Sequence, residues 1–252
     1  MNSKLTVALV GSRGRMGAML LRRMQAAGIS VSGTDQPLAD ADLDGFCATA
    51  DVVLLCVPIA ALPEALHVLR PHLQARQVLA DIASVKIQPM AHMQEAYAGP
   101  VVGTHPLFGP ESAGELRVAV CPGAQAGEED SRLVEELFTR IGCTVFRTTA
   151  QEHDEAAAYI QGLNFVTSAV YFAALAERPE FLPFLTPSFQ RRKEAARTML
   201  TDDGALFEAL FEANPASQNA VRSYRTFLNL AVGGDLSLLR ERALWWWGKP
   251  SE

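Results

Sequence analysis

Basic charge, sulfur and long apolar runs are all scarce in this sequence. Lys and Arg number 22 against 28 Asp and Glu, a net charge of −6. No overall basic field therefore exists to hold a nucleic-acid backbone or an anionic membrane surface. Cysteine is limited to Cys47, Cys56, Cys121 and Cys143, with no Cys-x-x-Cys and no His placed to complete a zinc set. That spacing predicts neither a disulfide framework nor a metal centre, and Cys56 reads as a small core residue. No apolar run reaches the ~18–20 residues that a spanning helix requires. Met1-Asn2-Ser3-Lys4-Leu5 leads straight into a strand-like run and does not resemble a signal peptide. Internal repeats and low-complexity tracts are lacking too. Together these absences predict a cytoplasmic protein that meets no nucleic acid and no membrane. What remains is core material: 49% of the 252 residues are hydrophobic and 20% charged. That balance excludes disorder and suffices for one large or two modest domains.

The first 149 residues alternate short β-rich runs with helical patterns. Strands are predicted at 5–10, 29–34, 52–57, 78–83, 101–103, 118–121 and 144–147, with helices at 15–27, 60–69 and 131–141. Continuous apolar strands joined by helices predict a mainly parallel, doubly wound α/β sheet of the Rossmann type. From Thr149 the character changes. Thr149-Ala150-Gln151-Glu152 has the form of a capping box, and an apolar stripe from Ala156 to Ala174 predicts a long helix to about Glu177. Helical patterns follow at 189–200, 205–213, 216–232 and 236–247. The expected organisation is an α/β domain over 1–149 and an all-helical domain over 150–252.

The first strand runs into Gly11-Ser12-Arg13-Gly14-Arg15-Met16-Gly17, a G-x-x-G-x-x-G variant of the dinucleotide fingerprint. Glycines at the turn let a pyrophosphate approach the backbone, and the helix start supplies N–H donors. Asp35 ends the second strand, 18 residues after Gly17. There its carboxylate would accept from ribose hydroxyls and repel a 2′-phosphate, which favours NAD over NADP. A solvated turn residue is the plain alternative. Arg13 and Arg15 either assist the phosphates or are exposed.

Three further segments fall where strand ends should meet a cofactor: Cys56-Val57-Pro58-Ile59, Asp81-Ile82-Ala83-Ser84-Val85-Lys86, and Gly103-Thr104-His105-Pro106-Leu107-Phe108-Gly109-Pro110-Glu111-Ser112. His105 is expected on a Pro- and Gly-stiffened loop. An imidazole there suits a base acting near neutral pH, although many loop histidines are structural.

These segments, with Gln151-Glu152-His153-Asp154 and Tyr159-Ile160-Gln161-Gly162-Leu163, resemble the prephenate/arogenate dehydrogenase family over nearly the whole chain. The Ser-Val-Lys and His-Pro-x-x-Gly-Pro-Glu elements are more specific than the glycine loop. The resemblance implies NAD-dependent oxidative decarboxylation of a cyclohexadiene that carries a carboxylate and a three-carbon side chain on C1 and a hydroxyl on C4. Hydride would leave C4 for the nicotinamide as a base takes the hydroxyl proton, CO2 would leave C1, and the ring would become aromatic. Carried over by motif, His105 is the base or hydrogen-bond acceptor at C4, Ser84 orients it and the C4 substituent, and Glu111 lines the pocket. Thr104 joins the substrate-facing set, and Gln161, off the main apolar stripe, either faces the pocket or makes a polar contact to another helix. Gly11, Ser12, Arg13, Gly14, Arg15, Met16, Asp35, Val57 and Pro58 form the cofactor set. The helical domain is implied to build a homodimer.

The sequence departs from the family at two places. Many prephenate-specific members carry a His four residues after the position of Gln161, where this chain has Phe165. The family usually supplies an Arg after a Ser/Thr-Pro-x-aromatic stretch, but here Gln190 follows Thr186-Pro187-Ser188-Phe189. A neutral amide replaces a charged, bidentate fork. A substrate with an added positive charge would need fewer cations. That places 4-amino-4-deoxyprephenate beside prephenate, with arogenate behind them and an inactive NAD-binding sensor as the non-enzymatic alternative. A β-hydroxyacid dehydrogenase would need a Lys on the first long helix, and residues 150–177 contain none. Glu152 and Asp154 suit the start of that helix as dipole partners. His153 is open between pocket support and structure. Trp245-Trp246-Trp247 cannot all enter one core and predicts burial by a partner subunit.

Overall fold

The computed structural model describes residues 5–38 and 42–248, so the opening residues behind the signal-peptide reading lie outside it. The chain divides into two compact units, Met1–Asp154 and Glu155–Glu252. The sequence places the break five residues earlier. The shift has a local cause: the side chains of His153 and Asp154 bond back into the first unit.

The first unit is a seven-stranded sheet of order β2-β1-β3-β4-β5-β6-β7. Its strands are β1 (Thr6–Val10), β2 (Ser30–Thr34), β3 (Val52–Leu55), β4 (Val78–Asp81), β5 (Val101–Pro106), β6 (Arg117–Pro122) and β7 (Thr144–Arg147). β1 to β5 are parallel, β6 runs antiparallel to β5, and β7 follows β6. Its helices are α1 (Arg15–Ala26), α2 (Leu43–Ala48), α3 (Leu62–Leu69), α4 (Ile87–Ala96) and α5 (Glu128–Arg140).

Both faces of the sheet are covered, which explains the unbroken apolar strands. Val7 and Leu9 of β1 pack with Met19, Leu20 and Met24 of α1 and with Val134, Leu137 and Phe138 of α5. The alternate residues, Ala8 and Val10, pack on the other face with Leu43, Leu62, Leu66, Leu69 and Met93 from α2, α3 and α4. Each fully buried Leu or Phe contributes about 1.5–3 kcal/mol. Gly28 closes α1 in the left-handed region at φ +70°, as its place after the helix predicts.

The second unit is helical. One helical stretch begins at Ala150 as α6 (Ala150–Ala157), passes through a π-helical turn at Ala158–Leu163 and continues as α7 (Asn164–Ala176). Its start is the predicted capping box: the Glu152 N–H donates to Thr149 Oγ1 and the Thr149 N–H to Glu152 Oε2, both at 3.1 Å. Then come α8 (Pro187–Thr201), α9 (Gly204–Ala213), α10 (Ser217–Val232), α11 (Leu236–Ala243) and α12 (Trp245–Gly248). The hydroxyl of Thr186 caps α8 by accepting the Phe189 N–H at 3.3 Å, and Pro187 takes the first helical position.

One expectation is corrected here. By length and composition the stretch Ala150–Ala176 would reach across a membrane, with a mean hydropathy of 1.2 in its most apolar window. Residues 156–176 carry no charge, but interspersed Gln161, Asn164, Thr167 and Ser168 break the continuous apolar run that the sequence reading looked for. Only 11% of that window is buried within the chain itself.

Candidate active site

In the first unit the expected residues converge on one edge, because parallel strands all end there. Gly11 follows β1, Asp35 follows β2, Cys56 follows β3, Ser84 lies beyond β4, and His105 lies near the end of β5. Between β1 and β3, where the strand order reverses, a cleft of about 230 Å³ is lined by Gly11, Gly14, Asp35, Cys56, Val57 and Pro58, among others. Such a switch point is where doubly wound sheets bind ligands.

The glycine loop is shaped by close approach. Gly11 has φ +87°, and a Cβ there would lie 2.4 Å from the Cys56 carbonyl oxygen. A Cβ on Gly17 would lie 2.0 Å from the Gly11 carbonyl oxygen, so only glycine lets α1 start directly on the turn. The N–H groups of Gly11 and Ser12 donate to the Thr34 carbonyl at 2.9 and 3.1 Å, and that of Gly14 to the Gly11 carbonyl at 3.2 Å. The Arg13 N–H donates to Asp35 Oδ2 at 2.8 Å. The loop donors are thus engaged internally, and the N–H groups aimed at a phosphate are those of the first turn of α1, at Met16 and Gly17. The sequence reading likewise gave the N–H donors to the helix start and left to the glycines the close approach. Met16 contributes backbone alone, since its side chain packs on the core, while the side chains of Arg13 and Arg15 are exposed. Asp35 is fixed at the cleft wall by the N–H groups of Arg13 and Gln36, each at 2.8 Å. Its remaining acceptor capacity fits ribose hydroxyls and repels a 2′-phosphate, so the site fits NAD.

Cys56 borders the cleft and is only partly covered by core, which corrects its reading as a core residue. Burial, then the charge of Asp81, pushes its thiol pKa up, so the protonated sulfur is no nucleophile.

His105 stands in β5, paired with Ala119 of β6, and is 4% exposed. It is not on a loop, as its Gly and Pro neighbours suggest; the antiparallel return of β6 carries the ladder through them. Its Nδ1 lies 2.9 Å from His153 Nε2, and His153 Nδ1 lies 2.8 Å from Asp154 Oδ1. Asp154 accepts the N–H of Lys86 at 2.7 Å and that of Ile87 at 2.9 Å, at the start of α4. Lys86, fully buried, donates from Nζ to Asp81 at 2.6 Å and to the Thr104 carbonyl at 2.6 Å. Gly103 makes room for this lysine, since a Cβ there would lie 3.1 Å from Lys86 Cδ and 2.6 Å from Met90 Sδ. Among the described residues no hydrogen bond reaches His105 Nε2, and the atom is not fully buried, so it keeps contact with solvent. Burial first, then His153 and Lys86, holds the imidazole pKa well below the usual 6.5. His105 is therefore a neutral acceptor at pH 7.

Two expected roles shift. Thr104 is fully buried, with its hydroxyl donated to the Asp81 carbonyl, so it joins β5 to β4 and does not face a substrate. Ser84 is half-buried, and none of the described hydrogen bonds joins it to His105; the side chain bonded to His105 is that of His153. Glu111 is exposed on the turn between β5 and β6. In the second unit Gln161 lies in the π-helical turn with its Oε1 buried and unpartnered, Phe165 stacks on Phe207 with centroids 5.7 Å apart, and Gln190 is exposed on α8. The sequence reading missed the part played by Lys86 and Asp81. The signal available was a Lys in an otherwise apolar segment, five residues after an Asp.

Among the described residues no group of His, Cys, Asp and Glu side chains is placed to hold a metal ion. Residues 39–146 match the family described as prephenate dehydrogenase, nucleotide-binding domain. The T-protein of Haemophilus influenzae is 33% identical over 175 residues, 69% of this chain and 46% of that protein. The 4-amino-4-deoxyprephenate dehydrogenase of Streptomyces pristinaespiralis is 29% identical over 187 residues, 67% of this chain and 62% of that one. The chain spans about half the length of the curated relatives it matches. In fold, prephenate dehydrogenase from A. aeolicus, solved with hydroxyphenyl propionate and NAD+, superposes with a TM-score of 0.80 at 19% identity, covering 96% of this chain and 97% of that one. Glycine loop, buried imidazole, domain match and relatives agree, and the chain belongs to the prephenate/arogenate dehydrogenase family.

Proposed function

We propose that this chain is an NAD-dependent dehydrogenase that converts a prephenate-type cyclohexadiene, prephenate or its 4-amino-4-deoxy analogue, to a 4-substituted phenylpyruvate with loss of CO2. One observation carries the reading: a neutral imidazole at the edge where the cleft opens, bonded inward through Nδ1 and open at Nε2. NAD, when bound, supplies the hydride acceptor. Asp35 and the first turn of α1 hold its ribose and phosphates, and the bare Gly11 backbone lets it approach. His105 Nε2 takes the proton from the C4 substituent. The carbonyl or iminium formed at C4 then draws the electron pair of the breaking C1–carboxylate bond into the ring.

Gln190 favours the amino analogue as a second substrate. A neutral amide stands where the family resemblance expects a carboxylate-binding Arg, which suits a substrate bearing its own cation. The relative from Streptomyces pristinaespiralis, named for that substrate, supports this choice. The uncharged stretch over 156–176, little of which is fully buried within the chain, supports a homodimer built by the helical unit.

Near-ultraviolet absorbance of NADH with prephenate, 4-amino-4-deoxyprephenate and arogenate tests the reading. Turnover of one of the first two is expected, with a loss of about 100-fold or more in His105→Asn. NAD binding without NADH from any diene would move the chain to the sensor class. Ordinary turnover of prephenate that Gln190→Arg leaves unchanged would remove the argument from added charge.

A further inference from the structure

We propose that His153 and Asp154 form with His105 a hydrogen-bonded relay that fixes the tautomer of His105 and takes up the proton charge that forms there. The proposal rests on the reading of His105 as the base and adds His153 as its positioning residue.

The direction of each bond follows from what each group can do. A carboxylate only accepts, so His153 Nδ1–H donates to Asp154 Oδ1 at 2.8 Å. A neutral His153 then offers only a lone pair at Nε2, so His105 must donate from Nδ1 across the 2.9 Å contact. His105 is left with its lone pair on Nε2, the one nitrogen of the chain without a protein partner. Asp154 cannot swing away, because the N–H groups of Lys86 and Ile87 hold both its oxygens. The rings meet edge to face, with centroids 5.1 Å apart and planes at 67°, which aims one nitrogen at the other.

The same chain handles charge. A proton arriving at His105 Nε2 would create a cation at a residue 4% exposed, with Lys86 close by. Passing the Nδ1 proton to His153 Nε2 leaves His105 neutral and sets the cation beside Asp154. One proton enters, one moves along the chain, and no electrons are exchanged. The charged groups facing the pair are Lys86 with its partner Asp81, and Asp154. A purely structural filling of this space would be apolar, since each buried imidazole nitrogen costs free energy unless it is paired.

The test uses the full chain with His153→Leu, which removes the acceptor, and His153→Gln, whose Oε1 restores it. Imidazole 15N–1H NMR of the wild type should show His105 protonated at Nδ1 and bare at Nε2. His153→Leu should lower kcat about 100-fold or more while KM stays within about threefold, and His153→Gln should recover the tautomer and part of kcat. A wild-type His105 protonated at Nε2, or a folded His153→Leu with kcat within about threefold of wild type, overturns the relay. Should His153→Leu fail to fold, the wild-type tautomer decides alone. Absence of turnover with every diene beside a correct tautomer would sink the proposed function and leave the relay standing.

Discussion

At the scale of single residues the dominant effect is burial of an imidazole. His105 binds its proton well below 6.5 in the folded chain, whereas the unfolded chain binds it near that value. Between the two values the unfolded state holds more protons, so stability rises with pH there and falls as pH drops below about 6.5. Each unit separating the two pKa values is worth about 1.4 kcal/mol. His105→Asn should remove this slope: its urea midpoint should change less than the wild type's between about pH 7.5 and about pH 5. An unchanged slope would place the acid sensitivity in other groups. Asp35 is the second such residue, held by two backbone donors in a position chosen for a ligand.

At the scale of elements, the buried Lys86–Asp81 pair ties α4 to β4 and, through the Thr104 carbonyl, to β5. Lys86→Met would leave Asp81 without its partner in a dry core, a loss of about 3–5 kcal/mol, read as a fall in the urea midpoint at neutral pH. A change within about 0.5 kcal/mol would mean that water reaches the site. The strands were legible in the sequence because burial on both faces demands continuous apolar runs, and the glycine loop was legible because close approach demands glycine. α2 and α4 were not read. α2 is a short helix, and α4 carries Pro89 in its first turn and a mixed pattern after it. Asp154 read as a helix start and His153 stayed open between pocket support and structure, since nothing local shows that folding carries His153 to a histidine 48 positions away. The end of β5 read as loop because Gly103 and Pro106 weaken strand propensity, and only the pairing with β6 overrides it.

At the scale of the whole molecule, the helical unit leaves apolar side chains uncovered: Val232 is 89% exposed, Trp247 79% and Val170 63%. A second copy would cover them. Light scattering should give twice 27.3 kDa for the wild type and a shift toward the single chain for Val170→Glu. A wild type that sediments with lipid vesicles and shows no dimer would favour a membrane role for the 150–176 stretch. The reversal of β6 has its own consequence. Each crossover among β1 to β5 leaves the edge where the cleft opens and returns at the opposite one, but the connection from Leu107 to Leu116 departs and comes back at the same edge. That segment lies at the edge where the cleft opens, held by strands whose register does not depend on its length. Lengthening, trimming or recharging it would reshape that edge and leave the sheet intact, so it is the part of the architecture most easily altered to suit a different ligand.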